Sequence, residues 1–152
     1  MEQSEGVIRR CKNIRDHIYP RNTLPMALYT AEVVKLGGPQ AVLADLGCGR
    51  GAPLIRSLGK SFGRCFGVDL EVDGQLQGSD CTLIRGDIRR IPLPDCAVDV
   101  ITMVNVIEHV HDPKAAFLEC HRILKPGGRV LFITPNKFFP PILASRLLPH
   151  KL

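Results

Sequence analysis

The chain contains no tryptophan, and aromatic residues make up only 5% of its 152 positions. No aromatic side chains interleave with the basic cluster Arg9, Arg10, Lys12 and Arg15. A surface that stacks single-stranded bases needs that interleaving, so the cluster reads as a solvated helix face and no nucleic-acid partner is expected. Long hydrophobic runs are missing as well. The longest apolar stretches, from Ala97 to Ile107 and from Phe138 to Leu148, are broken by Asp99, Asn105, paired prolines or Arg146. Neither approaches the ~18 residues of a membrane helix. Met1-Glu2-Gln3-Ser4-Glu5 has no basic start followed by an apolar run, so no signal peptide is expected and the reading is cytoplasmic. The six cysteines, Cys11, Cys48, Cys65, Cys81, Cys96 and Cys120, form no C-x-x-C pair and no zinc-like cluster, which points to reduced thiols.

What remains has globular composition, with 45% apolar and 23% charged residues and a net charge of +5. This length suits one domain with a real core. The order of segments is informative. Residues 1–40 read as helical, with Leu24, Leu28, Val33, Val34 and Leu36 on an apolar side before Gly37-Gly38-Pro39. From 41 to 136, short apolar strands alternate with helix patterns: Ala41 to Leu46, Arg64 to Asp69, Cys81 to Arg85, Val98 to Val104 and Arg129 to Thr134. Such alternation predicts an α/β fold, because a parallel return needs a long connection packed on the sheet. The clearest helix is capped by Asp112, carries Pro113 in its first turn, and places Ala116, Phe117, Cys120, Ile123 and Leu124 on one face before Pro126-Gly127-Gly128 stops it. Residues 137–152 form an apolar, proline-interrupted tail, read as the start of a substrate-side region.

The first strand runs into Asp45-Leu46-Gly47-Cys48-Gly49-Arg50-Gly51, and Pro53 opens the next helix. Glycines there let the backbone turn sharply and let a ligand approach the main chain. Gly47, Gly49 and Ala52 also satisfy the G-x-G-x-x-A form of nicotinamide-dinucleotide proteins, so two cofactor classes stand open at this point. Asp69, about 20 residues beyond the glycines at the end of Gly67-Val68-Asp69, suits the ribose of either cofactor. His109 and His111 have ligand-like spacing, but one polar loop after a strand is the favoured reading.

From about Val42 to Asn136 the residues resemble the class I S-adenosylmethionine (SAM)-dependent methyltransferases, in particular the branch typified by quinone-biosynthesis and related small-molecule or lipid methyltransferases. The resemblance rests on the glycine segment, Gly67-Val68-Asp69, Gly86-Asp87-Ile88 and Asn105-Val106-Ile107-Glu108-His109-Val110, followed by Leu124-Lys125-Pro126-Gly127-Gly128-Arg129. It implies a Rossmann-like three-layer sandwich with a mainly parallel sheet, here lacking the last two strands of the full fold. It further implies that Gly47, Gly49 and Gly51 let the backbone pass close to SAM and that Asp45 orients the methionine end. Asp69 would bind the ribose, Asp87 would accept from the adenine amino group with Ile88 beside the ring, and Asn105 would lie near the methionine end. Cys48 and Leu70, adjoining these positions, complete the expected cofactor set. Acids around the loop favour a ligand carrying a sulfonium and an ammonium and repel a pyrophosphate, so Asp45 separates the two cofactor readings.

Methyl transfer chiefly needs alignment of the acceptor, and His109, just past the fourth strand, is the one candidate base for a hydroxyl acceptor. Some quinone-type relatives build a metal site with an acid three residues before the Glu-His pair. Asn105 stands there instead, so no metal is expected and a catechol or quinone acceptor loses support. The expected acceptor is a small molecule or lipid-like compound. The competing readings are a truncated or non-catalytic SAM-binding module acting through a partner, and a nicotinamide-dependent oxidoreductase, which lacks an obvious tyrosine-lysine pair. The fifth strand would leave an apolar edge for a second copy, a partner or the tail to cover. Tyr19, in the N-terminal helical segment, reads as a helix-packing residue or a contact to SAM.

Overall fold

The computed structural model describes residues 25–73 and 80–135. These form α1 (Pro25–Lys35), β1 (Gly38–Leu46), α2 (Pro53–Leu58), β2 (Phe62–Asp69), β3 (Cys81–Arg85), β4 (Val98–Val104), α3 (Pro113–Ile123) and β5 (Leu124–Ile133). Short 3₁₀ turns follow α2 at Gly59–Ser61 and β4 at Ile107–His109. The five strands make one sheet in the order β3-β2-β1-β4-β5, with every pairing parallel. The expected α/β class and Rossmann-like sheet are thus present. The order reverses between β1 and β4, and in such sheets ligands bind in the crevice beyond the carboxyl ends of the strands at that reversal.

Burial follows this layering. The last four residues of β1 and most of β4 are buried, since both faces of a central parallel strand are covered. Leu43 and Val100 face one side, packing with Tyr29 and Val33 of α1 and Ile55 and Leu58 of α2. Ala44, Leu46, Ile101 and Met103 face the other, packing with Ala116, Cys120 and Ile123 of α3. In α3 those three positions form one stripe, the Asp112 carboxylate accepts from the Ala115 N–H at 3.1 Å, and Pro113 opens the helix as expected.

Several expectations change. Strands β3 and β4 occupy the predicted residues, but β1 and β2 begin earlier, at Gly38 and Phe62. Phe117 lies off the buried stripe at 40% exposure, where its ring meets Phe132 edge-on at 6.0 Å. Leu124 belongs to β5, and Pro126-Gly127-Gly128 lies inside that strand rather than beyond the helix. Val98 pairs with Leu124 and Val100 with Arg129, so residues 125–128 bulge out against the single residue Asp99. Asp99 uses the bulge: its Oδ2 accepts from Lys125 Nζ at 2.7 Å and from the Val42 N–H at 2.9 Å, tying β5, β4 and β1 together. In α1 the buried face is Tyr29 and Val33, while Leu28 and Val34 are exposed. Leu24, Tyr19, the basic cluster and the 137–152 tail lie outside the described residues.

The alternation of strands and helices also has an exception. Residues 86–97, which connect β3 to β4, contain no helix. Ile88, Ile91 and Leu93 of this connection fill the place of one, burying themselves in the core on the α3 side. Two residues of α3 hold it there. Glu119 Oε2 accepts from the Ile91 N–H at 2.7 Å, and Arg122 donates to the Leu93 carbonyl, the Ile91 carbonyl and Asp95 at 2.7–2.8 Å. Arg122 Nε also donates to Glu119 at 2.8 Å, which holds the Glu119 carboxyl below its usual range.

Candidate active site

The turn leaving β1 is set by Gly47. Its φ of +72° lies in the left-handed region, and a Cβ there would stand 2.3 Å from Cγ2 of Val106. No other residue meets both demands. The N–H groups of Gly47 and Cys48 both donate to the Val68 carbonyl, at 2.7 and 3.3 Å, which folds the turn back over the end of β2. The Gly49 N–H donates to Asp69 Oδ2 at 2.8 Å, and Asp69 Oδ1 accepts from the Glu71 N–H at 3.0 Å. The glycine turn and the acid ending β2 are therefore one locked unit. Absent side chains at Gly49 and Gly51 border open space.

One rung of the sheet, Leu83–Gly67–Asp45–Thr102–Leu131, crosses just beneath this turn. Gly67 leaves the space in which Cys48 Sγ and Ile55 pack; a Cβ there would meet each at 2.9 Å. On the opposite side Thr102 Oγ1 donates to Asp45 Oδ1 at 2.8 Å. Tyr29, descending from α1, donates its hydroxyl to the Leu131 carbonyl at 3.0 Å. Asp45 is 3% exposed, and burial, opposed by Thr102 and reinforced by the charge of Asp69, pushes its carboxyl up to about 7. Burial first, then the Asp45 charge, pushes the Tyr29 phenol up as well, so it stays a neutral donor.

Two cavities open over this floor and share Gly47 and Val104. The first, about 440 Å³, lies between α1, the glycine turn and α2, with Asp45, Gly49, Met26, Thr30 and Leu54 in its lining. The second, about 400 Å³, lies beyond β2 and β4 and is bordered by Asp69, Leu70, Asp87, Ile88, Asn105 and His109. There Asn105 takes φ +54°, a left-handed conformation that asparagine tolerates better than most residues, at the tip of β4. His109 ends the 3₁₀ turn that follows. Asp87 is engaged by its neighbour Arg89, which holds its carboxyl below the ordinary range.

Ten of the eleven residues expected to form the site thus line one or other cavity. Of these, Cys48 is mostly core: its side chain is buried and burial pushes the thiol up to about 12. Ile88 does both, buried against α3 while bordering the second cavity. Gly51 is the exception, and His111 lies outside the expected set. His111 was paired with His109 only by spacing and borders the same cavity. Gly51 borders neither; its carbonyl accepts from Arg56 Nε at 2.7 Å. Sequence reading missed Tyr29, Thr102, Val106 and Arg89. Among the described residues no three histidine, cysteine or acidic side chains converge as a metal site, and no helix is long and apolar enough to cross a membrane.

The family described as a methyltransferase domain matches residues 44–132, which include both strand ends, the glycine turn and α3. The chain belongs to this family. Among its methyltransferase relatives, the ubiquinone biosynthesis O-methyltransferase of Methylococcus capsulatus is 34% identical over 125 residues, covering 76% of this chain and 51% of that protein. A "Probable S-adenosylmethionine-dependent methyltransferase" of Mycolicibacterium smegmatis is 33% identical over 107 residues, covering 68% of this chain and 40% of that protein. Of solved methyltransferase structures, the methyltransferase bound to the Haloferax volcanii Trm112 activator superposes with a TM-score of 0.56 at 26% identity, covering 68% of this chain and 50% of that one. The chain spans at most about half the length of these three proteins.

Proposed function

We propose that the chain binds SAM across the two cavities and transfers its methyl group to a small-molecule or lipid-like acceptor. The observation that carries this reading is the locked unit of Gly47, Gly49 and Asp69 over a buried Asp45. The donor set fits SAM. Gly49 and Gly51 leave room for a ligand against the main chain, and Asp45, Asp69 and Asp87 offer acceptors to an ammonium, a ribose and an amino group. A pyrophosphate fits poorly: the nearby cations Arg50 and Arg89 are each paired, with Glu71 and Asp87. That counts against the nicotinamide reading.

When bound, SAM supplies a methyl group already activated by its sulfonium. The chain's own task is then to align the acceptor and exclude water; alignment can supply up to roughly 7–11 kcal/mol of barrier reduction. In this reading Asp45 faces the methionine end from its place on the β1 rung, Asp69 holds the ribose hydroxyls, and Asp87 accepts from the adenine amino group above Ile88. Asn105 lines the second cavity, next in sequence to Val104, which both cavities share. His109, on the acceptor side of β4, takes the proton from a hydroxyl acceptor.

The Trm112 activator bound to the Haloferax volcanii methyltransferase favours a second reading, in which the chain is a SAM-binding module completed by a partner. Strand β5 ends the sheet among the described residues, with Phe132 46% exposed beside Phe117, and a partner or second copy would cover it.

Calorimetric titration of the chain with S-adenosylhomocysteine, with NAD and Asp69→Ala as controls, tests the cofactor. Micromolar binding of S-adenosylhomocysteine alone, weakened at least tenfold by Asp69→Ala, is expected. Folded chain that binds neither ligand rules the reading out. Binding without transfer of label from SAM to any acceptor favours the partner-dependent module.

A further inference from the structure

We propose that Arg89 is the positioning residue for purine specificity: its three donors engage both oxygens of Asp87 and hold the carboxylate as an acceptor only, which meets an N–H donor of the base. This rests on the reading that the adenine of SAM meets Asp87.

The geometry is a clamp within three residues of chain. The Arg89 backbone N–H donates to Asp87 Oδ1 at 2.9 Å, its Nε–H is shared between Oδ1 and Oδ2 at 3.0 and 3.1 Å, and Nη2 donates to Oδ2 at 2.6 Å. Three hydrogens thus occupy both carboxylate oxygens. The turn beneath is closed by the Arg90 N–H on the Asp87 carbonyl at 2.9 Å, and one residue later the Glu119 contact to Ile91 anchors the loop to α3. Neither the carboxylate plane nor the loop is free to re-aim. Asp87 and Arg89 border the same cavity as Ile88, on the side away from the glycine turn.

A carboxylate held in this way is an acceptor only. With its proton site filled by a guanidinium, it meets an amino group with a hydrogen bond and a carbonyl with oxygen against oxygen. Sites built around one hydrogen bond reject an analogue that cannot make it, because the bound ligand shuts water away from a partner that is then left unpaired. Freed of Arg89, the carboxyl can turn and take a proton, and a protonated acid donates to a carbonyl as readily as it accepts from an amine. Lysine retains the charge but not the planar fork, so it restores the role only in part.

The experiment compares S-adenosylhomocysteine with its 1-methylhypoxanthine analogue, in which a carbonyl replaces the purine amino group and N1 carries no hydrogen, by titration into the full chain. Wild type is expected to prefer the adenine compound at least a hundredfold. Arg89→Ala lowers that preference at least tenfold, and Arg89→Lys falls between the two; thermal melting of each variant shows that it is folded, and Arg89→Lys decides the matter if Arg89→Ala is not. Equal weakening of both ligands, with the preference unchanged, makes Arg89 a mere loop support and overturns the proposal while leaving Asp87 in place. A wild type that binds both ligands equally removes Asp87 from the purine and the proposal with it.

Discussion

Asp45 and Asp87 stand at opposite ends of the site, and the fold treats them in opposite ways. Asp45 is embedded in the middle of the sheet, with Thr102 as its hydrogen-bond partner and no cation beside it among the described residues, and burial lifts its carboxyl to about 7. Asp87 stands on a helix-free connection at the surface, and the Arg89 side chain lowers its carboxyl. The two arrangements suit different partners. A buried acid without a cation is held in readiness for a positive group, whose arrival supplies the missing charge. An acid already paired with arginine has its charge satisfied and can discriminate only by hydrogen-bond direction. In the proposed function one carboxylate serves electrostatics and the other hydrogen-bond direction.

The largest break in this contrast comes at the glycine end. Gly47→Ala forces a Cβ into Val106 in a left-handed backbone, and a loss of about 3 kcal/mol in urea denaturation is expected. A loss under ~0.5 kcal/mol would mean that the turn can reopen without strain. Next comes the Asp87 end, where Arg122→Ala strips two carbonyls and Asp95 of their donor. Stability falls by about 1.5 kcal/mol and S-adenosylhomocysteine binds more weakly, while hydrogen exchange at Gly47 and Gly49 keeps its wild-type protection. Equal loss of protection at both ends would show that the site responds as one piece.

The smallest effect separates the acids by pH. Asp45 is raised in the folded state, so its contribution to stability is complete below the ordinary carboxylate range and declines as pH rises to about 7. The ionised form that attracts a cation gains population over the same interval, and affinity for S-adenosylhomocysteine is expected to rise severalfold between pH 6 and 8. Asp87 is lowered, so its contribution holds above the ordinary range and disappears only in acid; it stays ionised throughout the titration. Asp45→Asn should flatten the pH dependence. A slope that survives the substitution assigns it to another group.

Much of this was legible in the sequence because it is local. Strands β3 and β4 announce themselves as short, mostly apolar segments, the α3 cap by Asp112-Pro113, and the glycine turn by its spacing. The start of β5 was not, since Pro126-Gly127-Gly128 carries the same punctuation in a bulge as at a helix end; only pairing on both sides, with β4, distinguishes the two. Thr102 looks like one more residue of an apolar strand until the register sets it against Asp45, 57 residues earlier. Tyr29 reaches a carbonyl 102 residues away. Arg89 and Arg122 read as surface charge in a run of polar residues, because what they bond to is decided by where the connection between β3 and β4 comes to rest.

The long separation across the rung has a kinetic corollary. The β1–α2–β2 unit closes over about 20 residues of chain and brings the glycine turn to Asp69 early, whereas β4 reaches β1 only after a much longer loop has closed. Opening in reverse order would begin by parting β4 from β1, the seam over which both cavities lie. A ligand spanning that seam would act as a latch on the slowest-formed contact, lengthening the lifetime of the folded chain as well as filling its site.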